Sequence, residues 1–284
     1  MERLGQMLNI PDFEKRVAKM KEIAAEREST EIIHLPPCQE GKRSSPNSFL
    51  RSALFAAIQS KDRVYLENTT LFSQQGITVK FTGKQLNQED MTVWLSLLDL
   101  ARLHPLGNEC DFTAYGILKH MGLNDGGDQR ERLHTNINRL TDCTVRIETS
   151  RMEYGGHLID EYKVDKETKH YKITLNKKLI HLFGENDWTA INWEQRKQLR
   201  QKPLASKLHE YYSSHQHPKS VTFDFLHNIT GSDNKAKRSF KVKVKAALEA
   251  LVKIGFLSSY KVEEDLVTVE RKNTHTLPIV KARQ

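Results

Sequence analysis

The chain has 284 residues, 38% of them hydrophobic, and 44 Lys+Arg against 36 Asp+Glu give a formal net charge of +8 at pH 7. That length suffices for about two domains with sizeable cores; no run of about 18 apolar residues could cross a membrane, and the N-terminus MERLGQMLNIPDFEK lacks a signal peptide's continuous apolar segment, so a soluble cytoplasmic protein is expected. Cys38, Cys110 and Cys143 are odd in number, far apart and without C-x-x-C, which argues against a disulfide framework and a structural zinc site.

From Pro11 to Glu28, Phe13, Val17, Met20 and Ala24 recur at helical spacing among charges of both signs, which predicts a short amphipathic helix outside the main body. Ser29 to Ser48 carries prolines, glycine and serines with few large apolar groups and reads as a linker or extended arm, so residues 1–48 form a helix plus linker and the globular body starts near Phe49. Ile77, Val79 and Phe81 alternate as in a strand up to Thr82-Gly83. Met91 to Leu103 is apolar around most of a helix, the expected buried hub of a first domain.

Two later stretches resemble each other: DFTAYGILKHMGLNDGGDQRERLHTNINRLTDCTVRIE, and SVTFDFLHNITGSDNKAKRSFKVKVKAALEALVKIGFLSSYKVE. In each, a threonine suited to an N-cap (Thr113, Thr222) precedes by nine residues a glycine suited to a helix end (Gly122, Gly231). A polar turn and a longer helix follow, with stripes Leu133, Ile137, Leu140 and Val244, Leu248, Leu251 at identical spacing. Strand-like alternation comes next: Val145 and Ile147 with Tyr162 and Val164 in one copy, then Phe256, Leu257 and Tyr260 with Leu266, Val267 and Val269 in the other. Helix, turn, helix and hairpin make a winged helix. The expected fold is therefore α+β, with two tandem winged-helix domains at residues 49–168 and 169–284. Between the repeats lie a strand (Tyr171, Ile173, Leu175), a short helix ending at Phe183-Gly184, a basic helix around Trp193 to Gln201, and a helix opened by Pro203 with Leu204, Leu208, Tyr211, Tyr212 and His215 on one face.

Residues 1–141 hold 18 Lys+Arg and 18 Asp+Glu and residues 142–284 hold 26 and 18, so the whole excess lies in the second half. It is densest in KAKRSFKVKVK, where Lys235, Lys237, Arg238, Lys241, Lys243 and Lys245 are six cations in eleven residues. A basic helix head on a buried apolar tail suits a DNA major groove, although charge alone favours a solvated lysine face. Lys235 to Lys241 are placed for base edges and nearby phosphates, Lys243 and Lys245 for phosphate only, with Asn234 and Ser239 as polar partners. In the first copy Arg130, Arg132 and Arg139 are offset by Asp128, Glu131 and Asp142; packing, dimerisation or backbone positioning is as good a reading there as base contact.

An enzyme reading rests on Tyr211 and Tyr212 beside His215-Gln216-His217, since rolling-circle nucleases combine a His-apolar-His metal motif with a tyrosine nucleophile. Here the central residue is polar, the segment is a helix end, and both tyrosines lie on the apolar stripe, which favours core tyrosines. There is no phosphate-binding G-x-x-x-x-G-K-[ST], no H-E-x-x-H and no G-x-S-x-G. No enzymatic activity, metal or cofactor is expected. Glu263-Glu264-Asp265 reads as a solvated hairpin tip.

Several strings carry a family resemblance: RSALF at Arg51 to Phe55, ITVKFTGKQL at Ile77 to Leu86, Val93-Trp94, FTAYGILKHMGL at Phe112 to Leu123, LIHLFGENDWTAINW at Leu179 to Trp193, YYSSH at Tyr211 to His215, and GSDN before the basic helix. In order and at similar spacing over about residues 45–271, they resemble the TrfA family of plasmid replication initiators. The resemblance implies a winged-helix protein that binds directly repeated origin sites (iterons) as double-stranded DNA, helps open an adjacent A·T-rich segment and recruits the host replicative helicase and host initiator, active as a monomer and restrained as a dimer. The family's Gln-Leu-Ser-Leu-Phe peptide for the host sliding clamp has no counterpart in STEIIHLPPCQ; Trp94 to Leu98 is faintly similar but falls in the hub helix, so the clamp contact is not carried over. A tandem winged-helix transcriptional repressor is the nearest alternative, and an origin-nicking nuclease the next.

Overall fold

The computed structural model describes residues 19, 35–59, 63–104, 107–184 and 186–272. The helix expected at Pro11 to Glu28 lies, apart from Lys19, outside the described residues.

The chain is a mixed α and β protein with two apolar cores, one running from Phe49 to Trp193 and one from Leu199 to Val269. It enters through β1 (Lys42–Pro46), a one-turn helix α1 (Asn47–Leu50) and β2 (Phe55–Ala56). Then come β3 (Tyr65–Leu71), β4 (Ile77–Lys84), β5 (Leu86–Asn87) and the hub helix α2 (Gln88–Leu103). A capping box starts α2: the Asn87 side chain accepts from the Glu89 and Asp90 amides, and the Asp90 carboxylate accepts from the Asn87 amide at 2.9 Å. Met91, Trp94, Leu95 and Leu97 are fully buried, as an all-round apolar helix must be.

The first repeat follows as β6 (Glu109–Thr113), α3 (Ala114–His120), α4 (Gly127–Thr141), β7 (Thr144–Thr149), β8 (Glu153–Gly156), β9 (Ile159–Val164) and β10 (His170–Leu175). A 3-10 helix at Lys177–Phe183, β11 (Trp188–Asn192), α5 (Trp193–Gln198) and α6 (Pro203–Ser213) lead to the second repeat. That repeat is β12 (Val221–Thr222), α7 (Phe223–Thr230), α8 (Lys237–Lys253), β13 (Leu257–Glu263) and β14 (Leu266–Arg271). Thr113 and Thr222 cap α3 and α7, accepting from the amides of Gly116 at 3.0 Å and Phe225 at 3.1 Å. The two stripes face the cores, each of the six side chains at most 1% exposed.

Sheet order is the same in both repeats: β6-β10-β9 and β12-β14-β13, all antiparallel. This corrects three expectations. Val145 and Ile147 do not pair with Tyr162 and Val164; β7 joins β4 and β8 in the sheet β3-β4-β7-β8, and β9 pairs with β10. The reason is local: Thr149 and Met152 close a tighter turn first, which uses β7 before β9 is reached. A boundary at 168/169 would cut the β9-β10 hairpin, so β10 and Tyr171, Ile173 and Leu175 belong to the first core. Finally, the supposed linker contains β1, paired along its length with β11 some 150 residues away, Lys42 opposite Asn192 and Pro46 opposite Trp188. KRSSP has no apolar alternation to betray it, because backbone hydrogen bonds hold it there.

The two cores are joined by a buried polar junction. Arg196 of α5 donates to the Gln88 carbonyl at 3.0 Å and to Thr92 Oγ1 at 3.1 Å, and pairs with Glu210 of α6. Lys207 Nζ, wholly buried, reaches the Phe49 and Leu50 carbonyls at 3.2 and 3.3 Å. Gly231 closes α7 at φ +57°, and a Cβ there would stand 2.8 Å from the Ala56 Cβ. Only glycine both adopts the left-handed cap and admits that approach.

Candidate nucleic-acid interface

Helix α8 turns Phe240, Val244, Ala247, Leu248, Ala250 and Leu251 into the core and leaves the rest outward. Lys235, Lys237, Arg238, Ser239, Lys243 and Lys245 are exposed and Lys241 is half-exposed. The head of the helix is fixed from beneath: the His227 ring packs edge-on against Phe240 at 4.9 Å, and His227 Nε2 lies 2.9 Å from the Asn234 carbonyl. Asn234 donates to Ser239 Oγ at 3.1 Å, and its own Oδ1 accepts from the Ala236 amide at 3.3 Å. The loop entering the helix is thus held by its own side chains.

Two of the cations meet acids. Lys237 Nζ lies 3.0 Å from Asp224 of α7, and Lys241 Nζ lies 2.8 Å from Asp265 in the β13-β14 turn and 5.0 Å above the Phe223 ring. Among the described residues, Lys235, Arg238, Lys243 and Lys245 have no acidic partner. Arg238, Val242 and Lys245 sit at i, i+4 and i+7 and form the outermost stripe, with Val242 64% exposed. Sequence reasoning passed over Val242 and Asp224 and read Asp265 only as part of a solvated hairpin tip: an exposed valine has no motif, and both acids are brought to the helix by the fold.

The matching face of the first repeat is different. Arg130 makes two 2.6 Å bonds to Asp125, and that pairing draws Asp125 below the usual carboxylate range. Arg132 lies 3.9 Å from Glu89. Arg139, nearly buried, is held with Arg63 on the buried carboxylate of Asp90, at 2.9 and 2.6 Å. Beside this helix a cleft of about 800 Å³ opens between α4, the start of α2 and the α5 to α6 turn, with Lys84, Arg132 and Arg200 as exposed cations on its walls. These come from three distant parts of the chain.

The Tyr211 ring packs against Tyr212 at 5.2 Å and against His215 at 4.5 Å. Tyr212 is 0% and Tyr211 5% exposed, and burial raises both hydroxyls, that of Tyr211 to about 12. His215 is engaged by the Tyr211 carbonyl at 2.8 Å and Gln74 Oε1 at 2.9 Å, while His217 is exposed. No group of three or more His, Cys, Asp or Glu among the described residues is placed to hold a metal ion. Trp94 to Leu98 are buried in α2 and present no peptide to a partner. Among the described residues no helix is long and apolar enough to cross a membrane.

The family model described as TrfA protein matches residues 15–271. The plasmid replication initiator protein TrfA of Escherichia coli is 25% identical over 279 residues, covering 92% of this chain and 72% of that protein. Among solved structures, a selenomethionine form of domains 2 and 3 of RctB is similar with a TM-score of 0.57 and 13% identity, covering 80% of this chain and 98% of that one. A second structure of the RctB domains 2-3 gives 0.52 and 15%, covering 78% and 95%. The Pi initiator protein in complex with iteron DNA gives 0.44 and 11%, covering 65% and 96%.

Proposed function

The chain belongs to the TrfA family of plasmid replication initiator proteins, and from that premise we propose that it starts plasmid replication by binding repeated duplex sites, iterons, in the origin. The observation that carries this is α8 and the residues that enter it: a buried tail anchors a head where Lys235, Arg238, Lys243 and Lys245 project into solvent without an acidic partner among the described residues. Such a head releases phosphate counterions on binding and delivers side chains to base edges. The matching strand orders of the two antiparallel sheets support two tandem winged helices, with the β13-β14 and β9-β10 hairpins as wings. The second grips the groove; the first, whose arginines are held by Asp125, Glu89 and Asp90, positions the backbone or a second copy. Lys237, Lys241, Asn234 and Ser239 complete the binding face, and Arg130 and Arg132 have a lesser part.

The protein acts as a binder and not as an enzyme, a proposal supported by the burial of Tyr211 and Tyr212. Recruitment of the host replicative helicase and host initiator, and restraint by dimers, complete the scheme as the family implies. The test is to transform cells with an origin fragment and this gene. Autonomous replication of the fragment that is lost with Arg238→Ala supports the proposal, whereas DNA binding with repression but no replication would make the chain a tandem winged-helix repressor. Supercoiled origin DNA held with the protein and a divalent metal stays unnicked; nicking abolished by Tyr211→Phe or Tyr212→Phe would overturn the non-enzymatic part.

A further inference from the structure

We infer that Val242 reads a thymine, through its C5-methyl group, on the floor of the major groove. This rests on the proposal that α8 enters that groove. Val242 lies opposite the core side of the helix and is 64% exposed, while Phe240 and Val244 on either side of it are buried. As a β-branched residue it is a poorer helix former than the lysines around it. A single exposed apolar residue is ordinary; one ringed by Arg238, Lys241, Lys243 and Lys245 is not. That ring draws a polyanion and disfavours an apolar protein partner. Within the major groove, the apolar feature on a base edge is the thymine methyl.

Geometry fixes the neighbour. Arg238 is four residues before Val242, about 6 Å along the axis, and base pairs rise about 3.4 Å. The thymine therefore stands one to two base pairs from the base that Arg238 contacts, for which guanine is the usual partner. Lys245, three residues on, falls outside this pair and meets phosphate.

The experiment selects a preferred site with the full-length chain from a pool of random duplexes, then replaces each thymine in turn with deoxyuridine, which removes only the methyl. The expected result is one position where the wild-type chain loses about fourfold in affinity, the worth of one methyl leaving an apolar contact. Val242→Ser, an exposed change that leaves the fold intact, should bind thymine and uracil there within about twofold of each other. The inference is overturned if no thymine is sensitive to loss of its methyl, or if Val242→Ser discriminates as the wild type does. Arg238→Ala separates the two levels: if it binds the selected duplex as tightly as the wild type, α8 is not the reading helix and the functional proposal falls with the inference; if it binds weakly while uracil has no effect, only the inference falls.

Discussion

Arg196 and Glu210 form an ion pair across the junction of the two cores, with side chains 3% and 0% exposed. Glu210 is also 3.8 Å from the buried Lys207 and accepts from Gln88 at 3.3 Å. One carboxylate thus balances two buried cations. Glu210→Ala strands both, and removing one partner of a buried pair costs about 3–5 kcal/mol. Urea unfolding followed by tryptophan fluorescence measures it; a loss below about 1 kcal/mol would mean that water reaches the junction in the variant and satisfies both cations.

The asymmetry between the repeats predicts different mutational costs. Arg238→Ala should weaken binding of an iteron duplex by about 1–3 kcal/mol, and Lys243→Ala should lower the salt slope by about 0.9. With about six phosphates neutralised, the wild-type slope of log K against log salt is about −5. Arg130→Ala and Arg132→Ala should each change affinity by less than about 1 kcal/mol, because their guanidiniums already face Asp125 and Glu89. Fluorescence anisotropy across a salt series checks all four, and a slope near zero would return α8 to a solvated lysine face.

Asp265 holds Lys241 and also brings a negative charge to the tip of the β13-β14 hairpin, beside the face proposed to bind DNA. DNA phosphate must displace it. Asp265→Asn frees the lysine and removes a like-charge contact, so binding should tighten by about 0.5–1 kcal/mol, the scale of an exposed pair. The gain should shrink as salt rises. Weaker binding by Asp265→Asn would instead make this carboxylate a base or water contact.

What was legible in the sequence was local. Thr113 and Thr222 announce their helices, because a cap and its helix lie within four residues, and the stripe of α8 follows from 3.6-residue periodicity. The Asn87-x-x-Asp90 cap was equally local and was passed over. Strand partners were not legible: β1 and β11 attract each other through backbone groups that every sequence carries, and the alternation of Val145 and Ile147 says that a strand exists without saying whether β4 or β9 lies beside it. Of the binding face, the cations were visible as a run, whereas Asp224, Asp265 and the exposure of Val242 depend on what the fold places next to them.

His209, fully buried, gives the acid side of stability its shape. Its ring packs on Phe256 at 4.5 Å and its Nε2 lies 3.3 Å from Gln195 Oε1. Burial, reinforced by Arg196 and Arg271, lowers its pKa to about 3. An unfolded histidine titrates near about 6.5, so between about pH 6.5 and 3 the unfolded chain binds a proton that the folded chain refuses. Stability from this group is therefore fully present above the unfolded pKa and falls as pH drops through that window, by up to about 1.4 kcal/mol per pH unit. His209→Phe keeps an aromatic ring against Phe256 and cannot take the proton. Its unfolding free energy should lose about one proton's worth of slope between pH 6 and 4, whatever the change costs at neutral pH through Gln195. An unaltered slope in urea titrations at pH 4, 5 and 6 would show that His209 charges in the folded state, and hence that the junction near Arg196 admits a second positive charge.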